Sequence, residues 1–398
     1  MQSVQNIDSS FKYLLVSRAM RSLALIFVTL SLPLYLKILG YKIEIIGIFY
    51  FAIILINAFV VLGLGNLGDR IGYKKILIIA EILPLVGLFL LSSSTVLSVI
   101  LAAAVLCGVS GTAGGARGAM SPGSTALIAS NWRSQRARIN KISKINLVAS
   151  FFAIFGGLLL SLQNIISLTI GDVNAFKILY FLSFIFILIS LISLFFVQEV
   201  DRPKKHTKFM KRGSTTYSLR ILLPNIINGA GMGIVIPLLP LWLALKYDAS
   251  SFTIGLIFSI SYLATSIASY SASKIKYKSN RYILKLATYT RIFQGASIVL
   301  IAFIPELGIA AALLIIRTFV AGIGMPSRAV TNIKNVNNED YGTATTMQGM
   351  GSRFSQTTSG LSGYLMELSL SSPLIIGGIL QTVSAFVYFK LVASARHK

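Results

Sequence analysis

Arg291, Arg317 and Arg353 each stand about ten residues inside a long apolar run. At about 1.5 Å of rise per residue, a helix carries each of them roughly 15 Å inward, to the middle of a bilayer. A guanidinium stays charged at physiological pH and offers five N–H donors in a planar fork that fits a carboxylate or a phosphate. An arginine at a helix centre costs about 2.5–3.5 kcal/mol on insertion scales. These three are therefore expected to face a water-filled cavity, a neighbouring helix end or a bound anion.

Other polar residues share those runs. Gln348, Ser352, Gln356 and Thr357 crowd the turns around Arg353, and Asn225 and Asn228 lie beside glycines 229, 231 and 233. A solute-facing surface is one reading of these amides, and hydrogen bonding between helices is the other. Arg18 and Arg21, at i and i+3, share one face of the first apolar run. Arg18 also suits snorkelling to a headgroup, whereas Arg21 is assigned to a cavity. Glu81 is the one acid clearly inside a run; it is either a proton-coupling group or the partner of Arg117 or a loop arginine.

The elements that hold these residues must be membrane helices. Of the 398 residues 55% are hydrophobic and 12% charged, and mean hydropathy is +0.78; a soluble domain carries about a quarter charged residues. Twelve spans are expected, at 12–38, 45–67, 76–94, 97–128, 140–161, 176–197, 219–245, 253–271, 282–303, 307–327, 343–366 and 372–392. The fourth exceeds one crossing, so its C-terminal part should project into the cytoplasm. The net charge of +24 sits in short loops between the spans, which points to membrane orientation and away from nucleic acid. Alternate loops hold Arg70, Lys74 and Lys75, then Arg133 to Lys144, then Arg202 to Arg212, then Lys274 to Lys285. By the positive-inside rule these loops and both termini are cytoplasmic.

The halves repeat. Leu32-Pro33-Leu34-Tyr35-Leu36 with Ile46-Gly47 matches Leu239-Pro240-Leu241-Trp242-Leu243 with Ile254-Gly255, offset by about 207 residues. Arg18 and Arg21 then correspond to Asn225 and Asn228. The expected architecture is an all-α membrane protein of two pseudo-symmetric six-helix bundles, 1–197 and 219–398, joined by a cytoplasmic linker at 198–218.

Between the second and third spans runs Gly65-Asn66-Leu67-Gly68-Asp69-Arg70-Ile71-Gly72-Tyr73-Lys74-Lys75. Gly65, Leu67, Asp69, Arg70, Gly72 and Lys74 fall on a loop signature that resembles that of the major facilitator superfamily, and Tyr73 departs from it. The second copy, Ser271 to Arg281, keeps basic residues without an aspartate. The resemblance covers essentially the whole chain. It implies two rocking bundles, a central cavity lined by helices one and seven, and a cytoplasmic gate closed by Asp69 against the start of the eleventh helix, around Tyr341 to Thr345. The plainer alternative has Asp69 paired with Arg70 or a basic residue of the following loop.

The chemistry left is transport. The single cysteine, Cys107, and two histidines, His206 and His397, allow no cysteine metal cluster and no disulfide within the chain, and no cofactor is expected. No nucleophile stands with a base, and no pair of carboxylates lies in the membrane. The expectation is therefore not an enzyme but a secondary transporter of a small solute in the cell membrane, a monomer in the bilayer. The resemblance leans to small-molecule efflux, and the arginines lean to an anionic or polar solute. A proton-coupled multidrug exporter or a nutrient importer of the same fold is the alternative. A lipid-handling enzyme or a non-transporting sensor is the alternative from another class. Solute contact is assigned to Arg21, Asn225, Asn228, Arg291, Arg317, Arg353 and Gln356, and coupling, if any, to Glu81.

Overall fold

The computed structural model describes residues 2–109, 120–132, 135–200, 212–273, 279–336 and 341–394. Among them every regular element is a helix. The first half holds α1 (Gln2–Ile38), α2 (Ile43–Ile71), α3 (Tyr73–Ser93), α4 (Leu97–Cys107), α5 (Met120–Asn131), α6 (Gln135–Ile170) and α7 (Asp172–Phe195). The second holds α8 (Arg212–Val235), α9 (Leu239–Tyr247), α10 (Ser251–Ser273), α11 (Asn280–Phe303), α12 (Leu307–Ile333), α13 (Tyr341–Ser355), α14 (Ser359–Leu368) and α15 (Ser372–Ser394).

Ten of the described helices are long and apolar enough to cross a membrane. The chain is a multi-pass membrane protein. The fourth, seventh and eleventh expected spans are interrupted, the seventh beyond a helix already counted among the ten, and each interruption has a local cause. The seventh divides into α8 and α9 around a turn at 236–238, where Pro237 lacks the amide that would continue the ladder and Pro240 opens α9. The eleventh divides at a single 3₁₀ turn, Gln356–Thr358. There the hydroxyls of Ser355, Thr357 and Thr358 donate to the carbonyls of Ser352, Phe354 and Ser355 at 2.9, 2.7 and 3.0 Å. Hydroxyls that bond their own backbone loosen the helical ladder. Along the fourth, α4 ends on Gly108 in the left-handed region, and the Asn57 amide of α2 donates to Val109 O at 3.2 Å.

The chain divides into two compact units. One comprises Met1–Tyr41, Leu55–His206 and Ser250–Ser259; the other comprises Lys42–Ile54, Thr207–Ala249 and Ile260–Lys398. Each follows one half of the sequence except for a short exchanged segment. Residues 250–259, the start of α10, belong with α6: Ser161 Oγ donates to Phe252 O at 2.9 Å, and Ser259 Oγ to Ile154 O at 2.9 Å. Residues 42–54, the start of α2, belong with α14, where a Cβ on Gly47 would meet Gly363 N at 2.8 Å. Such proximity admits glycine alone.

A common triangle organises both units. In the first, α1 and α3 pack on α7; in the second, α8 and α11 pack on α15. Each triangle has an apolar plug. Phe11, Leu14, Leu77, Ile145 and Leu194 form one; Tyr217, Ile221, Leu284, Tyr388 and Val392 form the other. Lipid is as apolar as these side chains, so burial alone does not drive helix pairing in a membrane; small residues and buried hydrogen bonds add specificity. Ser17 and Ser190 hydroxyls pair at 2.8 Å between α1 and α7, and Ser31 Oγ donates to Tyr180 OH at 3.1 Å.

Candidate solute site and its supports

The signature loop resolves into helix, one linking residue and helix. α2 runs through Ile71, Gly72 turns the chain at φ 101°, and α3 starts at Tyr73. A left-handed φ of that size favours glycine. The amides of Tyr73 and Lys74 each donate at 2.8 Å to the two carboxylate oxygens of Glu199, which follows α7. Those amides have no partner within α3, and a carboxylate also suits the positive end of the helix dipole. Lys74 Nζ donates to Phe195 O at 2.7 Å. Thus the loop is tied to the end of α7 within the first unit. Tyr73, off the family pattern, packs its ring against the apolar plug of that unit. Leu67 is exposed. The side chains of Asp69 and Arg70 lie outside the described residues, as do those of Tyr341, Thr343 and Thr345 at the start of α13.

Glu199 is a support that the sequence reading missed. The signal was present: it is an acid directly after the sixth span, at the head of a basic linker.

Glu81 lies on α3 and has 0% exposure; Arg21 lies on α1 and has 1%. The two form an ion pair, and Arg21 Nη1 also donates to Ala80 O at 3.1 Å. The Ser190 hydroxyl of α7 donates to the other Glu81 oxygen. The acid was expected to meet Arg117 or a loop arginine; it meets Arg21, and Arg117 lies outside the described residues. A pairing across 60 residues depends on how α1 and α3 are rotated, which spacing alone leaves open. Arg21, assigned from the sequence to the cytoplasmic approach of a solute, points in this structure into the seam between α1, α3 and α7.

The corresponding seam of the second unit has a different charge. Arg291 of α11, 5% exposed, donates through Nη2 to Asn225 Oδ1 of α8 at 3.1 Å and lies 4.7 Å from the centre of the Tyr388 ring on α15. A ring face attracts a cation without neutralising it. Tyr388 OH donates to Asn332 Oδ1 at 2.9 Å, and Gln348 Nε2 to Asn332 O at 3.1 Å. Arg317 of α12, also 5% exposed, donates through Nε to Gln294 O at 3.3 Å and through Nη2 to Gln381 Oε1 at 3.4 Å. Gln381 and Tyr388 stand two turns apart on α15, so two guanidinium levels lie roughly 10 Å apart along it. The named partners of both arginines are neutral. Arg291 Nη1 and Gln381 Nε2 are buried donors with no acceptor among the described residues.

The remaining candidates flank this seam. Asn228 donates to Met232 Sδ on its own helix at 3.3 Å. Arg353 is half-buried in the last turn of α13, where free carbonyls favour a cation. Gln356 is buried in the 3₁₀ turn, and Thr358 Oγ1 donates to Ala230 O of α8 at 2.7 Å. The structure thus brings Asn225, Arg291 and Arg317 to one interior seam through Tyr388 and Gln381, and places Arg353 and Gln356 at the break between α13 and α14. Among the described residues no cluster of His, Cys, Asp and Glu has the makings of a metal site.

A family model described as Major Facilitator Superfamily matches residues 13–359. No curated protein matches the sequence. Several solved structures share the fold. One is the human organic anion transporter MFSD10 (TETRAN), with TM-score 0.70 and 13% identity, covering 95% of this chain and 99% of that one. Another is an auto-inhibited POT family peptide transporter, with TM-score 0.76 and 12% identity, covering 98% and 97%. A third is a mutant of the nucleoside transporter NupG, with TM-score 0.68 and 14% identity, covering 97% and 99%. At such identities the likeness concerns the fold.

Proposed function

The chain belongs to the major facilitator superfamily, and from that premise we propose that it exports a small anionic or polar solute across the cell membrane by alternating access. It is a membrane transporter and not an enzyme. The charge of the second unit's interior carries the anionic reading. Arg291 and Arg317 are nine-tenths buried, their named partners are neutral, and Arg291 Nη1 and Gln381 Nε2 have donors to spare. A site with surplus donors and permanent positive charge selects an acceptor-rich solute, and a lipophilic cation is repelled there. The fold is shared with a human organic anion transporter, which agrees with this reading.

Arg353, Gln356, Asn225 and Asn228 complete the solute surface. Asp69 and Arg70 gate the cytoplasmic side, and Glu199 holds the head of α3 for them. The working bodies are two six-helix bundles, 1–197 and 219–398, with both termini in the cytoplasm.

The test uses purified protein in liposomes with p-aminohippurate, succinate, uridine and tetraphenylphosphonium as probes, in both membrane orientations. Uptake of the anions above that of tetraphenylphosphonium, faster in the export direction, is the expected result. Transport of tetraphenylphosphonium alone would overturn the reading.

A further inference from the structure

We propose that this carrier is an anion exchanger, in which an anion leaving on one side must be replaced by an anion entering on the other, and that it is not driven by protons. The inference rests on the anionic reading above and extends it to the coupling of the cycle.

Glu81 carries the first half of the argument. The sequence has 12 Asp and Glu, and Glu81 is the one well inside a span; the others fall at span ends and in loops, as do both histidines. Proton coupling through a membrane carboxylate must therefore use Glu81. Its surroundings oppose that use. One oxygen is paired with Arg21, the other accepts from Ser190, the charge of the buried Arg18 on the same helix as Arg21 also acts on it, and the residue is fully buried in the seam of the first unit. Protonating it would leave the Arg21 guanidinium without a counter-charge in a dry interior.

The second half lies at the arginines. The groups facing Arg291 are Asn225 from α8 and Tyr388 from α15, and Tyr388 also feels the charge of Arg328 on α12. Arg317 is met by the Gln294 carbonyl of α11 and Gln381 of α15. None of these partners is a carboxylate that can neutralise an empty site. Arginine itself does not deprotonate in proteins.

In an alternating-access cycle the site must pass through a state closed to water on both sides. Empty, it would carry uncompensated guanidinium charge through that state, at the full desolvation penalty of a buried ion. With an anion bound, the charges compensate and the passage is easy. Loaded transitions are then fast and empty ones slow, which is the kinetic definition of exchange. A site whose charge a carboxylate cancels on solute release would not be so bound.

The experiment measures initial uptake of labelled p-aminohippurate, succinate, uridine and tetraphenylphosphonium into proteoliposomes that are either anion-loaded or loaded with neutral sucrose, each with and without a pH gradient. Exchange predicts that internal anion raises uptake by at least about tenfold, since a penalty near one RT ln 10 suffices, and that the pH gradient adds nothing. Equal uptake into sucrose-loaded vesicles, driven by the pH gradient, would overturn exchange and leave the anion reading standing. Transport of uridine or tetraphenylphosphonium with no uptake of either anion would overturn both.

Discussion

Arg21 and Glu81 are the clearest pair in which one side chain depends on another. Breaking a buried ion pair from one side strands the other charge and costs about 3–5 kcal/mol, whereas removing both with apolar residues of similar volume is close to neutral. Glu81→Leu alone should therefore lower the melting temperature sharply in detergent, and Arg21→Met/Glu81→Leu should recover most of the loss. Equal damage from the single and double variants would mean that the pair is no unit. Glu199 permits a smaller prediction. Its two bonds to the head of α3 resemble a helix cap, so Glu199→Ala should cost about 1 kcal/mol, read by chemical denaturation, with the loss confined to exchange protection of the α2–α3 turn. The intramembrane arginines were legible in sequence because a permanent charge in an apolar run stands out. Their partners were not, since a neighbour such as Gln381 lies 64 positions from Arg317 and only helix rotation decides who meets whom.

At the scale of elements, the order and type of the helices followed from hydropathy, but their interruptions did not. A run such as 343–366 reads as one span, and only the hydroxyls of Ser355, Thr357 and Thr358 turning back on their own carbonyls break it. Thr358→Val keeps the shape and deletes the bond to Ala230 O. It should cost about 0.5–1 kcal/mol, in line with interhelical hydrogen bonds in membranes, and straighten the turn; an unchanged melting temperature would remove that bond from the account. The start of α2 and the end of α14 add a pH-dependent contact. Hydrogen bonding to the Glu44 carboxyl, followed by burial and by the like charge there, pushes the Glu367 carboxyl above its ordinary range. A carboxyl whose pKa rises in the folded state contributes stability that is full in acid and is lost as pH rises through the raised pKa. Melting temperature should thus drop as pH rises from the ordinary glutamate range toward neutrality, and Glu367→Gln should flatten that part of the profile. A profile identical in the variant would contradict the shared proton.

At the scale of the whole molecule, the repeat was visible in a short Leu-Pro-Leu match, and its structural counterpart is the recurring triangle of α1, α3 and α7 in one unit and α8, α11 and α15 in the other. The triangles differ in charge. The first encloses the acid Glu81, ion-paired with Arg21 and near the buried Arg18; the second encloses a cation with an amide and a phenol, with no carboxylate among its named partners. That asymmetry between copies of one design is the reason for assigning the solute to the second unit. Composition could not have revealed it, because charge balance depends on pairing and not on counts. The most direct measurement is the ratio of initial organic-anion uptake to tetraphenylphosphonium uptake in proteoliposomes, for the wild type and for Arg317→Gln. Loss of a charged hydrogen bond costs about 1.5–3 kcal/mol, or roughly 10- to 150-fold. The account predicts a wild-type ratio well above one that falls by at least about tenfold in the variant, while the variant's melting temperature shows that it remains folded. A wild-type ratio below one, unchanged by the substitution, would contradict it.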